Sequence, residues 1–193
     1  IVENVPGGNT IAAAEHTFAL ILAAARNISP AVSSLKKGEW KRGKFVGIEL
    51  YGKTLAILGF GRIGQTVCQR ALAFGMKVFA YDPNISEEVI RERGASPASL
   101  DQAISAADFI TLHLPKNTQT KNLINAELIK KMKKGACLVN CSRGGIVNER
   151  DLLAALAEGR LRAGALDVFE TEPLPADSPL ITAGDNLIIT PHL

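Results

Sequence analysis

The sequence predicts an α/β fold built on a doubly wound parallel sheet, and three observations predict it. Continuous apolar runs of strand length alternate with segments of helical period along most of the chain. A Gly-x-Gly-x-x-Gly turn, Gly59 to Gly64, joins the first such run to the helix after it, the setting of a dinucleotide-binding or Rossmann unit. The connections between runs and helices are short, so right-handed crossovers place helices on both faces of one sheet.

Each element follows from local signals. Asn9 or Thr10 caps a helix that runs to about Arg26, a second helix covers about Pro30 to Lys37, and Gly38 stops it. Residues 39 to 52 are polar and punctuated by glycine, which makes them a loop. Thr54 to Leu58 is apolar throughout, as expected of a strand buried on both faces. A helix from Arg62 to Phe74 is closed by Gly75, and Lys77 to Tyr81 is the next strand. Glu87 to Arg93 and Leu100 to Ala106 read as short helices, the second opened by a capping box of Ser99 and Gln102. Phe109 to Leu114 is a strand and Asn125 to Lys133 a helix. The lysines 130, 131, 133 and 134 suit that helix's C-terminal dipole, with Gly135 as the left-handed residue beyond. Ala136 to Asn140 is a strand, Glu149 to Glu158 a helix capped by Asn148, and Gly164 to Phe169 a strand. A last strand, Asn186 to Thr190, runs into Pro191, His192 and Leu193.

Composition narrows the function. With 193 residues, 47% of them hydrophobic and 21% charged, the chain has the profile of a globular domain and not of a disordered or collagen-like one. The cysteines, Cys68, Cys137 and Cys141, are odd in number and form no CxxC pair, which implies free thiols and a cytoplasmic setting. Ile11 to Ala25 is too short to span a bilayer and carries Glu15 and His16, so no membrane partner is expected. The net charge of +3 comes mainly from the lysine-rich helix end and from Lys36, Lys37, Lys41, Arg42 and Lys44, solvated clusters and not a nucleic-acid surface. No residues show metal-ligand spacing.

The glycine turn predicts a cofactor. Gly59 permits the tight turn, Gly61 lets backbone approach a pyrophosphate, and Gly64 lets helix pack on strand. Asp82 ends the following strand, where a carboxylate accepts the adenosine ribose hydroxyls and repels a 2′-phosphate, so the expected cofactor is NAD and not NADP. Arg62 either reaches the pyrophosphate or stays solvated at the helix start.

Three polar motifs follow later strands: Asn140 to Gly145, Asp167 to Pro173, and Thr190 to His192. Arg143 offers a planar fork for a substrate carboxylate, while Glu172 and His192 form a carboxylate–imidazole pair in which the acid raises the histidine's proton affinity. His113, in an apolar strand, and His16, in an apolar helix, read as structural histidines. Ser142 lacks a nucleophile-elbow pattern.

Through GFGRIG, the following YDP, NCSRGGIV, ALDVFETEP and TPHL, the chain resembles the D-isomer-specific 2-hydroxyacid dehydrogenases. NVPGGNT at Asn4 to Thr10, Gly38-Glu39-Trp40 and NCSRGGIV are most similar to the members that oxidise 3-phospho-D-glycerate for serine biosynthesis. The resemblance implies catalysis by Arg143, Glu172 and His192. It implies NAD contacts from Arg62, Ile63, Asp82, Leu114, Pro115, the backbone of Cys141, Ser142 and Arg143, and Asp167 near the carboxamide. It also implies that Asn9 approaches substrate, that Arg42 reaches a partner's active site, and that Trp40 belongs to a dimer arm within residues 1 to 52. Residues 1 to 193 would then be the NAD-binding domain of a homodimeric two-domain enzyme whose substrate domain is absent from this sequence, and the isolated domain would be poorly active. Glyoxylate, hydroxypyruvate and D-lactate enzymes share the catalytic set, as do NAD-sensing corepressors of a different functional class.

Overall fold

The structure, a computed structural model, describes residues 8–193; Asn4 to Gly7 of the NVPGGNT segment lie outside the described residues. Seven parallel strands form one sheet: β1 (Thr54–Leu58), β2 (Lys77–Tyr81), β3 (Ser96–Pro97), β4 (Phe109–Leu112), β5 (Ala136–Asn140), β6 (Leu161–Leu166) and β7 (Leu187–Ile189). Their spatial order is β3-β2-β1-β4-β5-β6-β7, so the winding reverses between β1 and β4. That reversal opens a crevice at the carboxyl ends of β1 and β4, the place where open α/β sheets take ligands.

Alternation along the central strands shows that both faces are covered. Leu55 and Ile57 of β1 join a core with α1 (Thr10–Arg26), α3 (Arg62–Ala73) and α4 (Glu87–Glu92). Ala56 and Leu58 join the opposite core with α5 (Leu100–Ala106), α6 (Ala126–Lys131) and α7 (Glu149–Ala157). Helix α1 packs on α3 and reaches across to β5 and β6, where its buried residues meet Cys137, Val139, Ala163 and Ala165. Helix α2 (Ile28–Lys36) follows it, and a 3-10 turn, Arg42–Phe45, interrupts the loop before β1. Among the described residues no single helix is long and apolar enough to cross a membrane.

The structure corrects three readings. The strand expected at Gly164 to Phe169 begins at Leu161 and ends at Leu166. Arg162, which sits at a register shift against β5, hides the strand's start in sequence, whereas Val168 and Phe169, good strand formers, are buried as loop residues beyond its end. The two-residue β3, paired with Phe79 and Ala80, leaves no periodic signal to read. Asn9 occupies the N-cap of α1 but its side chain makes no capping hydrogen bond. Elsewhere the expected caps act: Ser99 and Gln102 form the complete capping box and Asn148 accepts from the N3 amide of α7, while Asn125, read as the first residue of its helix, is the N-cap of α6 and accepts from its N3 amide.

Candidate active site

The three fingerprint glycines have different physical reasons. Gly59 sits at φ +96°, and a Cβ there would lie 2.5 Å from the His113 carbonyl oxygen. At Gly64 a Cβ would meet the Gly59 carbonyl oxygen at 2.2 Å, so helix, turn and strand close on one another there. Gly61 differs: its φ is −68°, and a Cβ would find nothing within 4 Å. The fold leaves an open space there, with the N-terminus of α3 beside it. A pyrophosphate seated against backbone fits that space, and the helix N-terminus favours its charge.

Asp82 is held for its part. Its Oδ2 accepts the Phe60 amide at 2.7 Å and Oδ1 accepts the Asn84 amide at 2.9 Å, which ties the carboxylate to the glycine turn. A carboxylate has about four lone-pair sites, so acceptor capacity remains for ribose hydroxyls. The residues present therefore fit an adenine dinucleotide without a 2′-phosphate. Arg62 is exposed at the start of α3 and borders a hollow between α1 and α3 with Thr10, Ile11 and Gln65.

Past the glycine turn, a cavity of about 510 Å³ gathers the loops that follow β4, β5 and β6 and the segment after β7. Asn9, Ile63, Leu114, Pro115, Cys141, Ser142, Arg143, Asp167 and His192 all line it. Arg42 does not; it is exposed in the 3-10 turn.

Glu172 and His192 meet as the carboxylate–imidazole pair that the sequence suggests. His192 Nδ1 lies 2.7 Å from Glu172 Oε2, and Glu172 Oε1 accepts the Phe169 amide at 2.9 Å. That amide, followed by His192, holds the Glu172 carboxyl below its ordinary range, so it is ionised at neutral pH. An ionised carboxylate only accepts, hence Nδ1 carries hydrogen and Nε2 is the ring nitrogen left for proton exchange. His192 has φ +60°, an uncommon backbone state for a side-chain-bearing residue. The turn is fastened on both sides, by His192 N–H to the Thr190 carbonyl at 3.1 Å and Leu193 N–H to Asp167 Oδ1 at 3.1 Å.

Arg143 is aimed by a residue whose role the sequence does not disclose. Asn140, 1% exposed, accepts the Ser142 amide at 3.0 Å and hydroxyl at 2.8 Å, and donates to the Arg143 carbonyl at 3.0 Å. Those three bonds clamp the loop and leave the Arg143 side chain exposed, with only Nη1 engaged, on the Ser142 carbonyl at 2.6 Å. A Cβ on Gly144 would fall 1.6 Å from the Phe169 carbonyl oxygen, so glycine there brings the arginine loop against the one that carries Glu172.

The other histidines also find their places. His113 bonds Thr111 Oγ1 at 3.2 Å, and burial pushes its pKa down to about 4, so it stays neutral. His16 is not a core residue: it borders the cavity and contacts Asp167 and Thr190. Burial raises the Cys141 thiol to about 12, which keeps it protonated and unreactive. Behind the catalytic pair a largely apolar hollow of about 550 Å³ is walled by Phe169, Pro173, Leu174, Ile189 and Pro191.

The model of the D-isomer specific 2-hydroxyacid dehydrogenase NAD binding domain matches residues 18–193. The chain is similar to D-3-phosphoglycerate dehydrogenases of Methanocaldococcus jannaschii, at 53% identity, and Bacillus subtilis, at 50%, in both cases over all 193 residues. It spans 36% of the length of each. Among solved structures it is similar to D-lactate dehydrogenase from Aquifex aeolicus complexed with NAD and lactic acid, with 36% identity and a TM-score of 0.87 over 97% of this chain and 61% of that one.

Proposed function

Because the chain belongs to the D-isomer specific 2-hydroxyacid dehydrogenase family, as its NAD-binding domain, we propose that it forms the cofactor and acid–base half of an oxidoreductase that interconverts a D-2-hydroxy acid and its 2-keto acid. We take 3-phospho-D-glycerate as the substrate, the choice favoured by relatives of that name at about half identity. The observation that carries the reading is the 2.7 Å His192–Glu172 pair on the cavity that also takes Arg143 and Asp167.

Bound in the crevice, NAD supplies a nicotinamide ring that exchanges hydride with the substrate's C2. His192 Nε2 removes the hydroxyl proton in the oxidising direction and returns it in the reducing one. Glu172 fixes the ring through Nδ1 and stabilises the imidazolium. Arg143 pairs with the substrate carboxylate through its free guanidinium nitrogens and meets charge that develops on the reacting oxygen. Asp167 accepts the carboxamide N–H through its free oxygen, Asp82 takes the ribose, and Gly61 leaves room for the pyrophosphate. Ile63, Leu114 and Pro115 give apolar walls.

The same reading includes a second domain that closes the cavity against water, and a cytoplasmic homodimer. Exposed Ile28, Val32 and Leu35 on α2, with Trp40 at 79% exposure, support a dimer arm, from which Arg42 enters the partner's site beside Asn9. Free Cys68, Cys137 and Cys141 support a reducing compartment.

The test is His192→Ala in the complete two-domain protein, assayed with NAD and 3-phospho-D-glycerate. The expected loss in kcat is roughly 10²–10⁴-fold, the usual worth of a general acid or base, with NADH affinity retained. Undiminished turnover overturns the assignment.

A further inference from the structure

The acid–base chemistry leaves two histidines of the cavity unused; His113 is occupied by its bond to Thr111 within the sheet, and the other is His16. His16, on α1, has a side chain that is 19% exposed, and its Nε2 lies 3.2 Å from Asp167 Oδ1 and 3.2 Å from Thr190 Oγ1. Those neighbours fix the proton on the ring. An ionised Asp167 accepts only, and the Thr190 hydroxyl commits its own proton to the same Asp167 oxygen at 2.6 Å. Both atoms facing Nε2 are acceptors, so Nε2 carries hydrogen; its hydrogen bond goes to Thr190 Oγ1, with Asp167 Oδ1 beside it at ion-pair distance.

Asp167 Oδ1 therefore receives two hydrogen bonds, from the Thr190 hydroxyl and from the Leu193 amide at 3.1 Å, and has as its third partner His16 Nε2–H, which lies beside it at ion-pair distance and bonds the Thr190 oxygen. They arrive from two distant parts of the chain, α1 and the segment after β7. Oδ2 has no hydrogen-bond partner among the described residues, although Asp167 is only 2% exposed and borders the cavity. A carboxylate saturated on one oxygen and left open on the other is an aimed acceptor. The Cβ–carboxyl torsion of aspartate is soft and two-fold, so its direction comes from its partners. His16 is the one of those partners that belongs to neither the catalytic segment nor the sheet.

We propose that His16 is a positioning residue for the cofactor: it holds Asp167 so that Oδ2 accepts the N–H of the nicotinamide carboxamide, and it thereby gives the site its preference for a dinucleotide that bears that amide. The proposal rests on Asp167 facing the carboxamide, as read above. It makes α1, which lies outside the strand–turn–helix unit of the fingerprint, part of the cofactor site.

Three ligands separate the possibilities, each measured by titration calorimetry. NADH has the carboxamide; the reduced 3-acetylpyridine analogue has a methyl ketone instead and no donor; ADP-ribose has no ring at all. Wild type should prefer NADH over the acetyl analogue by roughly tenfold, the scale of one hydrogen bond to a charged group. In His16→Leu the two should come within about twofold of each other through weaker NADH binding, with ADP-ribose affinity unchanged. His16→Gln, whose amide nitrogen restores a donor, should recover most of the preference. Full discrimination in His16→Leu overturns the role of His16. Loss of ADP-ribose affinity in that variant also overturns it, because the residue then supports the fold and not the ring. No discrimination in wild type refutes the reading of Asp167 itself, and the proposal with it.

Discussion

Replacing Gly61 and Gly64 separately by alanine divides ligand geometry from fold geometry. At Gly64 the new methyl would sit 2.2 Å from the Gly59 carbonyl oxygen and 3.2 Å from Ile57 Cγ2, both in the packed turn. Neither neighbour is a flexible side-chain end on the surface, so helix α3 has to move, and overpacking of this kind costs about 1–3 kcal/mol. At Gly61 the methyl meets nothing within 4 Å and the backbone is in an ordinary region at φ −68°. Two small effects oppose each other there. Alanine reduces unfolded-chain entropy, worth about 0.4–1 kcal/mol, but it is a poorer N-cap than glycine by a similar amount. Net stability of Gly61→Ala should then stay within about 0.5 kcal/mol of wild type. Its NADH affinity should fall at least about tenfold, since the methyl occupies the space that backbone must leave for the pyrophosphate. Urea unfolding is best followed by far-UV circular dichroism, because the single tryptophan, Trp40, is 79% exposed and its emission reports little on the core. Wild-type NADH affinity in Gly61→Ala would refute the pyrophosphate reading; a destabilised Gly61→Ala would show that the glycine serves the fold.

Two further outcomes are expected. Asp82→Ala should weaken NADH and narrow its margin over NADPH, because ribose hydrogen bonds and repulsion of a 2′-phosphate disappear together; calorimetry with both nucleotides checks this, and an unchanged margin refutes it. The second concerns acid. His113 is held at about 4 against an ordinary 6.5. Between those values the unfolded chain binds a proton that the folded chain does not, so stability falls as pH drops from 6.5 to 4, by up to about 3 kcal/mol, and this contribution is constant above that window. Glu172, held low, acts in the same direction, its contribution being present above the ordinary carboxylate range and lost as pH falls through its lowered value. The comparison that isolates His113 is therefore urea unfolding of wild type and His113→Gln across the window: the variant should lose most of the slope, and an unaltered slope removes His113 from the acid response.

What could be read from sequence was what short stretches of chain decide for themselves. The capping box at Ser99, the Asn148 cap and the glycine stop at Gly75 involve residues a few positions apart, and each appears where it was expected, whereas Gly135 takes its positive φ in the turn before β5, because α6 already ends at Lys131. The place of Asp82 was legible for the same reason, since it directly follows the strand next after the glycine turn. The displaced start of β6 was not, because Leu161 and Ala163 qualify as strand residues only through their partners Ala136 and Cys137 of β5, with Arg162 left without a partner at the register shift between them. His16 shows the limit most clearly. Its pattern is that of a residue on an apolar helix, yet its partner Thr190 is 174 positions away, a contact no periodicity encodes. Asn140 was visible as part of a motif, but its clamp on Arg143 depends on the loop conformation.

These contacts also explain why one sheet edge holds a precise site although most of its residues sit on loops. Each loop is fixed by a neighbour and not by itself. The Gly59 turn rests against the backbone of His113, the arginine loop reaches Phe169 through the missing side chain of Gly144, and the His192 turn is fastened to Asp167. With the Asn122 amide bonded to the Gly145 carbonyl at 2.8 Å, the five loops form a chain of mutual contacts from the glycine turn to the Glu172–His192 pair. Steric fit governs its first half, where a methyl group is the relevant perturbation. Hydrogen bonds to buried carboxyl and amide groups govern the second, where the loss of one donor is. Asp167 lies where the second half meets α1, so a donor removed from that helix acts on the nicotinamide end while the glycine turn is left as it was. The ADP-ribose comparison depends on that separation, because ADP-ribose needs only the first half.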